Sequence, residues 1–146
     1  MRRITLVCVS AVLAACTPRQ EEPPPPEPPA AAPMLNLADL AGTWNMVTYI
    51  ESDTVRYTMV ATADPTTWVI NIPNRPPMTP RVTVDADSVM LDTGPFESVV
   101  RPGVQVTTHV VGRLVGGMFT GTLEAHWQTA SADSVGRGRV EGTRTP

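Results

Sequence analysis

The sequence predicts an all-β domain over residues 36–146, folded as a small antiparallel up-and-down β-barrel of about eight strands. Apolar residues alternate with polar ones from Trp44 to Trp127, which is typical of strands with one buried face. Short segments rich in Gly, Pro and Asp separate these runs and favour turns. Helix signals are confined to one short turn at 36–40. A meander of this length is expected to close on itself, because closure removes exposed strand edges.

The chain begins with a segment that is not part of this domain. Arg2 and Arg3 precede an apolar run of about ten residues, Ile4 to Leu13. That run is too short to span a bilayer, which takes about 20 apolar residues, but it has the length of a signal-peptide core. Residues 1–15 are therefore predicted to be a signal peptide.

The end of this segment reads Leu13-Ala14-Ala15-Cys16 and resembles the lipobox of bacterial lipoproteins. The resemblance implies that the Cys16 thiol receives a diacylglycerol, that the chain is cut before Cys16, and that acyl chains such as palmitate anchor it. Two or three acyl chains give stable anchoring, which one chain does not. Thr17 follows where an Asp would favour inner-membrane retention, so the resemblance implies an outer-membrane protein facing the periplasm. The alternative is a plain signal peptide that happens to end near a cysteine.

Residues 16–35 are predicted to be a disordered linker. They contain the run EEPPPPEPPAAAP, which cannot bury a core and favours extended polyproline II. A spacer that holds the domain off the membrane is the main interpretation. A docking segment for a partner with an aromatic groove is the alternative.

The charge of the chain argues against nucleic-acid binding, and the positions of its cysteines argue against disulfides in the domain. Without Arg2 and Arg3 the chain carries nine arginines against fourteen carboxylates, a formal charge of −5, and no basic patch for nucleic acid. Both cysteines, Cys8 and Cys16, precede the domain. Its stability must therefore come from a hydrophobic core without disulfides.

Two short motifs carry a second resemblance. The segment Asp39 to Val47, with Gly42 and Trp44 in a Gly-x-Trp pattern, is similar to the opening strand of lipocalin-like (calycin-type) proteins. The segment VEGTRTP at the other end is similar to their closing strand. The resemblance implies that Arg144, or Arg139 as second candidate, lies across the tryptophan at the closed end of a barrel. The other segments of the family are not recognisable, so the resemblance names no ligand.

No motif for catalysis or for a cofactor is present: there is no nucleophile elbow, P-loop, Rossmann glycine pattern or Cys-x-x-Cys. We therefore predict a protein that is not an enzyme and has no cofactor. His109, His126 and Glu124 could hold a metal, but they fall on the polar, outward phase of their strands. Solvated surface histidines are the preferred interpretation, with no metal site.

A pocket, if present, is expected to be apolar and to open beside the proline-rich loop Asn71 to Pro80, which either roofs the barrel mouth or is an ordinary connection. Thr108, Gly112 and Gly121 are expected to leave room inside. Its predicted lining comes from the inward phases: Tyr57, Met59, Trp68, Ile70, Val110, Phe119, Leu123 and Trp127, with Val84 and Leu91 beside them.

Two functions remain open at the level of sequence. The first is a membrane-anchored envelope lipoprotein that binds a small apolar ligand. The second is a structural or interaction lipoprotein whose barrel is filled by its own side chains and whose surface binds an envelope protein.

Overall fold

A computed structural model describes residues 34–129 and 133–146. The predicted signal peptide, Cys16 and all but the last two residues of the predicted linker lie outside these ranges. The chain divides into two units, Met1–Ala30 and Ala31–Pro146, and the described residues belong to the second. The all-β prediction is confirmed, since eight antiparallel strands form one curled sheet. The elements are α1 (Leu37–Leu40), β1 (Gly42–Ile50), β2 (Asp53–Ala61), a 3-10 turn (Pro65–Thr67), β3 (Val69–Asn71), β4 (Arg81–Asp85), β5 (Ser88–Glu97), β6 (Gln105–Val115), β7 (Met118–Gln128) and β8 (Asp133–Arg144).

The strand order is β3-β2-β1-β8-β7-β6-β5-β4. The first and last strands are therefore neighbours, with Trp44 opposite Arg144 in the ladder. β3 and β4 are the two edges of the sheet and do not pair, so the expectation that the meander closes fully and removes its edges is wrong. The segment that connects them partly fills the gap between β3 and β4, because Met78 and Ile70 exchange both backbone hydrogen bonds at 2.8 and 2.9 Å.

Alternation of apolar and polar residues builds the core, as the sequence predicts. In β7, for example, Phe119, Leu123, Ala125 and Trp127 are buried, whereas His126 points outward. All three tryptophans are at most 1% exposed. The buried apolar set also includes residues of α1 and of six further strands: Leu40, Trp44, Met46, Ile50, Met59, Ala61, Ile70, Val89, Leu91, Val106, Val110 and Val140.

One segment with turn composition, Asp92 to Pro95, lies inside β5 instead of ending it. The β5–β6 register shifts between Thr93 and Phe96, so Gly94 and Pro95 form an irregularity in an otherwise continuous strand. Proline has no N–H to donate to the ladder and is tolerated at such bulges. Gly94 and Pro95, residues typical of turns, therefore form a bulge that bends β5.

The two ends of the barrel differ. α1, the 3-10 turn and the short β4–β5 and β6–β7 turns lie at one end, which we call the closed end. Asn36 caps α1 by accepting from the Ala38 N–H at 3.0 Å, and Leu40 is fully buried. The β1–β2 turn and the longer loops 72–80 and 98–104 lie at the other end, which we call the open end.

Among the described residues, no helix is both long enough and apolar enough to cross a bilayer.

Candidate functional site

The closed end is organised around Trp44. The Arg144 guanidinium lies over its indole ring, with Cζ 4.6 Å from the ring centroid, so the expected stack is present. The indole N–H donates to the Leu40 carbonyl at 2.8 Å. Arg144 donates to the carbonyls of Asp39, at 2.6 Å, and of Ala41. The arginine thus binds the backbone at the end of α1 and seals that end of the barrel.

Gly42 has a specific role in this arrangement. Its φ is +138°, a conformation that residues with a Cβ rarely adopt. A Cβ built at Gly42 would lie 3.1 Å from Arg144 Nη1. The glycine of the Gly-x-Trp pattern therefore provides both the backbone turn and the space that the arginine occupies. Arg139, the second candidate, lies on the outer face with its Cζ 4.2 Å from the Tyr49 ring centroid.

A second tryptophan–arginine pair closes over the open end. Arg101 Cζ lies 3.8 Å from the Trp127 ring centroid. The Trp127 indole N–H donates to Ser98 Oγ at 2.9 Å, and the same hydroxyl accepts from the Arg101 backbone N–H at 3.1 Å. The Arg101 guanidinium donates to Ser134 Oγ at 2.6 Å and to the Glu51 carboxylate at 2.8 Å. Loop 98–104 is thereby tied to the β1–β2 turn and to β8.

The proline-rich loop also reaches the open end. Arg75 donates to the carbonyls of Glu97 and Ser98, the latter at 3.2 Å. Ile72 and Met78 from the same segment line the barrel interior. The loop therefore covers part of the mouth, which is the position that the roof interpretation requires.

A cavity of about 90 Å³ occupies the open-end half of the barrel. Its walls are mostly apolar, and none of the lining residues carries a charge. Five of them have hydroxyl groups: Thr48, Tyr57, Thr93, Ser98 and Thr108. The apolar lining comprises Ile50, Val55, Ile70, Ile72, Met78, Leu91, Phe96, Val99, Val100, Val106, Val110, Leu123, Ala125 and Trp127.

The predicted pocket residues fall into two groups. Those on the open-end half of their strands line the cavity: Tyr57, Ile70, Val110, Leu123 and Trp127, together with Leu91. Met59, Trp68 and Phe119 are fully buried on the closed-end half and pack in the core instead. Period-two alternation gives the face of a strand but not the depth along the barrel, so it cannot separate these groups. Val84, near the end of β4, stays 39% exposed.

The room expected at Gly112 is taken by another side chain. A Cβ added at Gly112 would overlap the Phe119 ring, and one added at Gly121 would overlap the backbone of β6. Phe119 also packs edge-on against Trp44, with ring centroids 6.5 Å apart. These glycines therefore allow close packing rather than a larger pocket, whereas Thr108 does line the cavity.

Tyr57 is the titratable group in the cavity wall. Burial raises the pKa of its phenol above the ordinary value of 10.0, and a hydrogen bond with Thr48 opposes this shift. Thr48 Oγ1 donates to the Tyr57 hydroxyl at 3.4 Å. Alternation places the Tyr57 side chain inside the barrel. It also places Thr48 on the inner face of β1, but it does not show that the two hydroxyls meet.

The histidines lie on the outer face, each beside a different carboxylate. His109 Nδ1 is 2.6 Å from Asp92 Oδ1, and His126 Nε2 is 2.8 Å from Glu124 Oε1. Glu124 also accepts from Arg137 at 3.1 Å, and hydrogen bonds from Arg137 and then His126 lower the pKa of its carboxyl. Within 34–129 and 133–146, no group of three or more His, Cys, Asp or Glu side chains is arranged to hold a metal.

Comparison of the chain with protein-family models, curated proteins and solved structures finds no match in any of the three.

Proposed function

We propose that this protein is a lipid-anchored envelope protein of the outer membrane, facing the periplasm, whose barrel binds a small apolar ligand at its open end. The observation that carries the binding proposal is the uncharged, mostly apolar cavity walled by six strands and two loops. Ligand pockets are concave and mainly apolar, with a few polar groups that fix orientation. The proposal includes no catalytic step.

The volume of the cavity limits what can bind. Pockets for drug-sized ligands measure about 300–1,000 Å³, and an apolar cavity of about 150 Å³ accepts benzene. At about 90 Å³, this cavity fits a ligand smaller than benzene, or one end of a longer molecule. Larger ligands would require loops 72–80 and 98–104 to move apart.

Fluorescence of Trp127 provides a direct test, because this is the one tryptophan of the three in the cavity wall. The Cys16→Ser chain, which lacks the proposed anchor, is titrated with fatty acids, sterols, short alkanes and small aromatic compounds. We expect an emission shift or a raised melting temperature with narrow apolar probes. Trp44→Phe should keep the emission shift and Trp127→Phe should lose it.

The second candidate function is a structural or interaction lipoprotein with no ligand, whose surface binds an envelope protein. The small cavity volume and the Phe119 ring over Gly112 favour this alternative. Failure of every apolar probe to change either the emission or the melting temperature would select it over ligand binding.

The anchor has its own test. Cells supplied with a labelled fatty acid are expected to label the wild-type chain and not Cys16→Ser. The motivation is the lipobox resemblance at Leu13 to Cys16. Equal labelling of the two chains would contradict the anchor and leave the binding proposal to be judged separately.

A further inference from the structure

The hydroxyl groups in the cavity wall differ in how many hydrogen bonds they already make within the protein. The Ser98 hydroxyl accepts two hydrogen bonds, from the Trp127 indole and from the Arg101 backbone. The Tyr57 hydroxyl accepts one, from Thr48, at 3.4 Å. This is long for a bond between hydroxyls, which are usually 2.7–2.8 Å apart. A phenol that accepts through its oxygen still has its own proton to donate.

From this arrangement we propose that Tyr57 selects the class of ligand: a neutral, narrow, mainly aliphatic molecule with one hydrogen-bond acceptor, such as a ketone, aldehyde or ester carbonyl, to which the phenol donates. This inference rests on the proposed binding function. Thr48, on the adjacent strand, donates to the same hydroxyl and leaves the phenol proton for a ligand.

An ionised ligand finds no partner in the cavity. The two arginines nearest the mouth are used outside it: Arg75 donates to backbone carbonyls, and Arg101 to Glu51 and Ser134. The Glu97 carboxylate accepts from the Gly103 N–H at 3.0 Å. Since none of the described residues that line the cavity is charged, a carboxylate or an ammonium group would be buried there without a counter-charge, which strongly disfavours binding. Neutral polar ligands avoid this penalty.

The volume of the cavity admits only one end of a chain, and the rest of such a ligand would lie in the mouth. The cavity volume of about 90 Å³ is smaller than the roughly 150 Å³ that accommodates benzene. A short alkyl chain beside Trp127 and Leu123 would leave its carbonyl free to reach the Tyr57 hydroxyl.

The test uses three probes of equal chain length, 2-hexanone, n-hexane and hexanoate, added to the Cys16→Ser chain and followed by NMR chemical shifts. Tyr57→Phe removes only the hydroxyl and should weaken 2-hexanone binding about three- to tenfold. The same change should leave hexane binding within about twofold, because hexane makes no hydrogen bond. Hexanoate should bind more weakly than 2-hexanone.

Tyr49 supplies the matched control, since it is the other tyrosine of the chain and lies on the outer face. Tyr49→Phe should bind all three probes as the parent does. Infrared difference spectra give a second readout: the carbonyl stretch of bound 2-hexanone should move to lower frequency in the parent and in Tyr49→Phe, but not in Tyr57→Phe.

The outcomes separate the two levels of the argument. If 2-hexanone and hexane bind but Tyr57→Phe changes neither the affinity ratio nor the carbonyl frequency, the role of Tyr57 is wrong and the binding function stands. Preference for hexanoate would also overturn the ligand class. If no probe binds, both the ligand class and the proposed binding function are wrong.

Discussion

Each end of the barrel carries a tryptophan–arginine stack, and the two stacks are held by different hydrogen-bond acceptors. At the closed end, Arg144 over Trp44 donates to backbone carbonyls, and the indole also donates to a carbonyl. At the open end, Arg101 over Trp127 donates to two side chains, and the indole donates to the Ser98 hydroxyl. Backbone acceptors cannot rotate away, whereas the side-chain acceptors of the open end can.

From this difference we expect the closed end to be held more firmly than the open end. Water reaches both arginines, since Arg144 is exposed and the Arg101 and Glu51 side chains are 32% and 46% exposed, so the contrast between the ends rests on their acceptors. Trp127 borders the cavity, whereas Trp44 is surrounded by packed side chains. Substitutions at the two stacks should therefore have unequal effects on stability and on access to the interior.

The largest effects are expected from truncating the tryptophans. Trp44→Ala and Trp127→Ala should each lower the free energy of unfolding by about 3–5 kcal/mol in urea titrations, because each leaves a large void. Indole should restore part of the stability of Trp127→Ala, whose void joins the existing cavity. Similar rescue of Trp44→Ala would show that the two ends do not differ in access.

Removal of the arginine should lower the free energy of unfolding more at the closed end than at the open end. Arg144→Met is expected to cost about 1–2 kcal/mol, because it removes an exposed cation–π contact together with charge-assisted hydrogen bonds to two backbone carbonyls. Arg101→Met should cost about 1 kcal/mol or less, because its guanidinium donates to the side chains of Ser134 and Glu51, which can turn to solvent. In a double-mutant cycle Arg144 should couple to Trp44, while Arg144 and Trp127 serve as the additive control. Additive effects for Arg144 and Trp44 would mean that the stack contributes nothing.

Alkaline pH should act on the open end through Tyr57. The folded pKa of this phenol is raised above 10.0 by burial, so the unfolded chain loses the proton first. The stability that Tyr57 contributes is therefore complete below about pH 10 and is lost as pH rises toward the folded pKa. Urea titrations from pH 8 to 11 should show a steeper loss for wild type than for Tyr57→Phe. Tyr49→Phe retains the Tyr57 phenol and should keep the loss; identical curves for wild type and Tyr57→Phe would contradict the burial.

The smallest effect is expected at the Glu51–Arg101 ion pair. Glu51→Gln should change the free energy of unfolding by less than about 1 kcal/mol, as exposed pairs do. It should nevertheless speed hydrogen exchange of loop 98–104, because one of its ties is removed. High salt should reproduce this in wild type and have no further effect in Glu51→Gln. Unchanged exchange in the loop would show that the pair does not hold the mouth closed.

Sequence reasoning reached the closed end more completely than the open one. Gly42, Trp44 and Arg144 stand in two motifs that the lipocalin-like resemblance relates to each other, and alternation placed Tyr57 and Trp127 inside. Nothing local marks Ser98 or Arg101 as partners of Trp127, because their meeting depends on how loop 98–104 folds back. The size of the cavity was equally hidden, since the Phe119 ring reaches Gly112 only through the register of β6 and β7.

The pairing of β1 with β8 also bears on the kinetics of folding. Within β1–β3 and within β4–β8, every neighbour in the sheet is the next strand in the chain, so each piece is a local meander. The only junction between distant strands is the β1–β8 seam, where Arg144 meets Ala41 across a separation of 103 residues. Closing so long a loop is entropically costly, and long-range pairing slows folding. We expect β1 and β8 to pair in the slow step and the Arg144 side chain to reach its carbonyls afterwards, so that Arg144→Met accelerates unfolding while leaving the folding rate nearly unchanged.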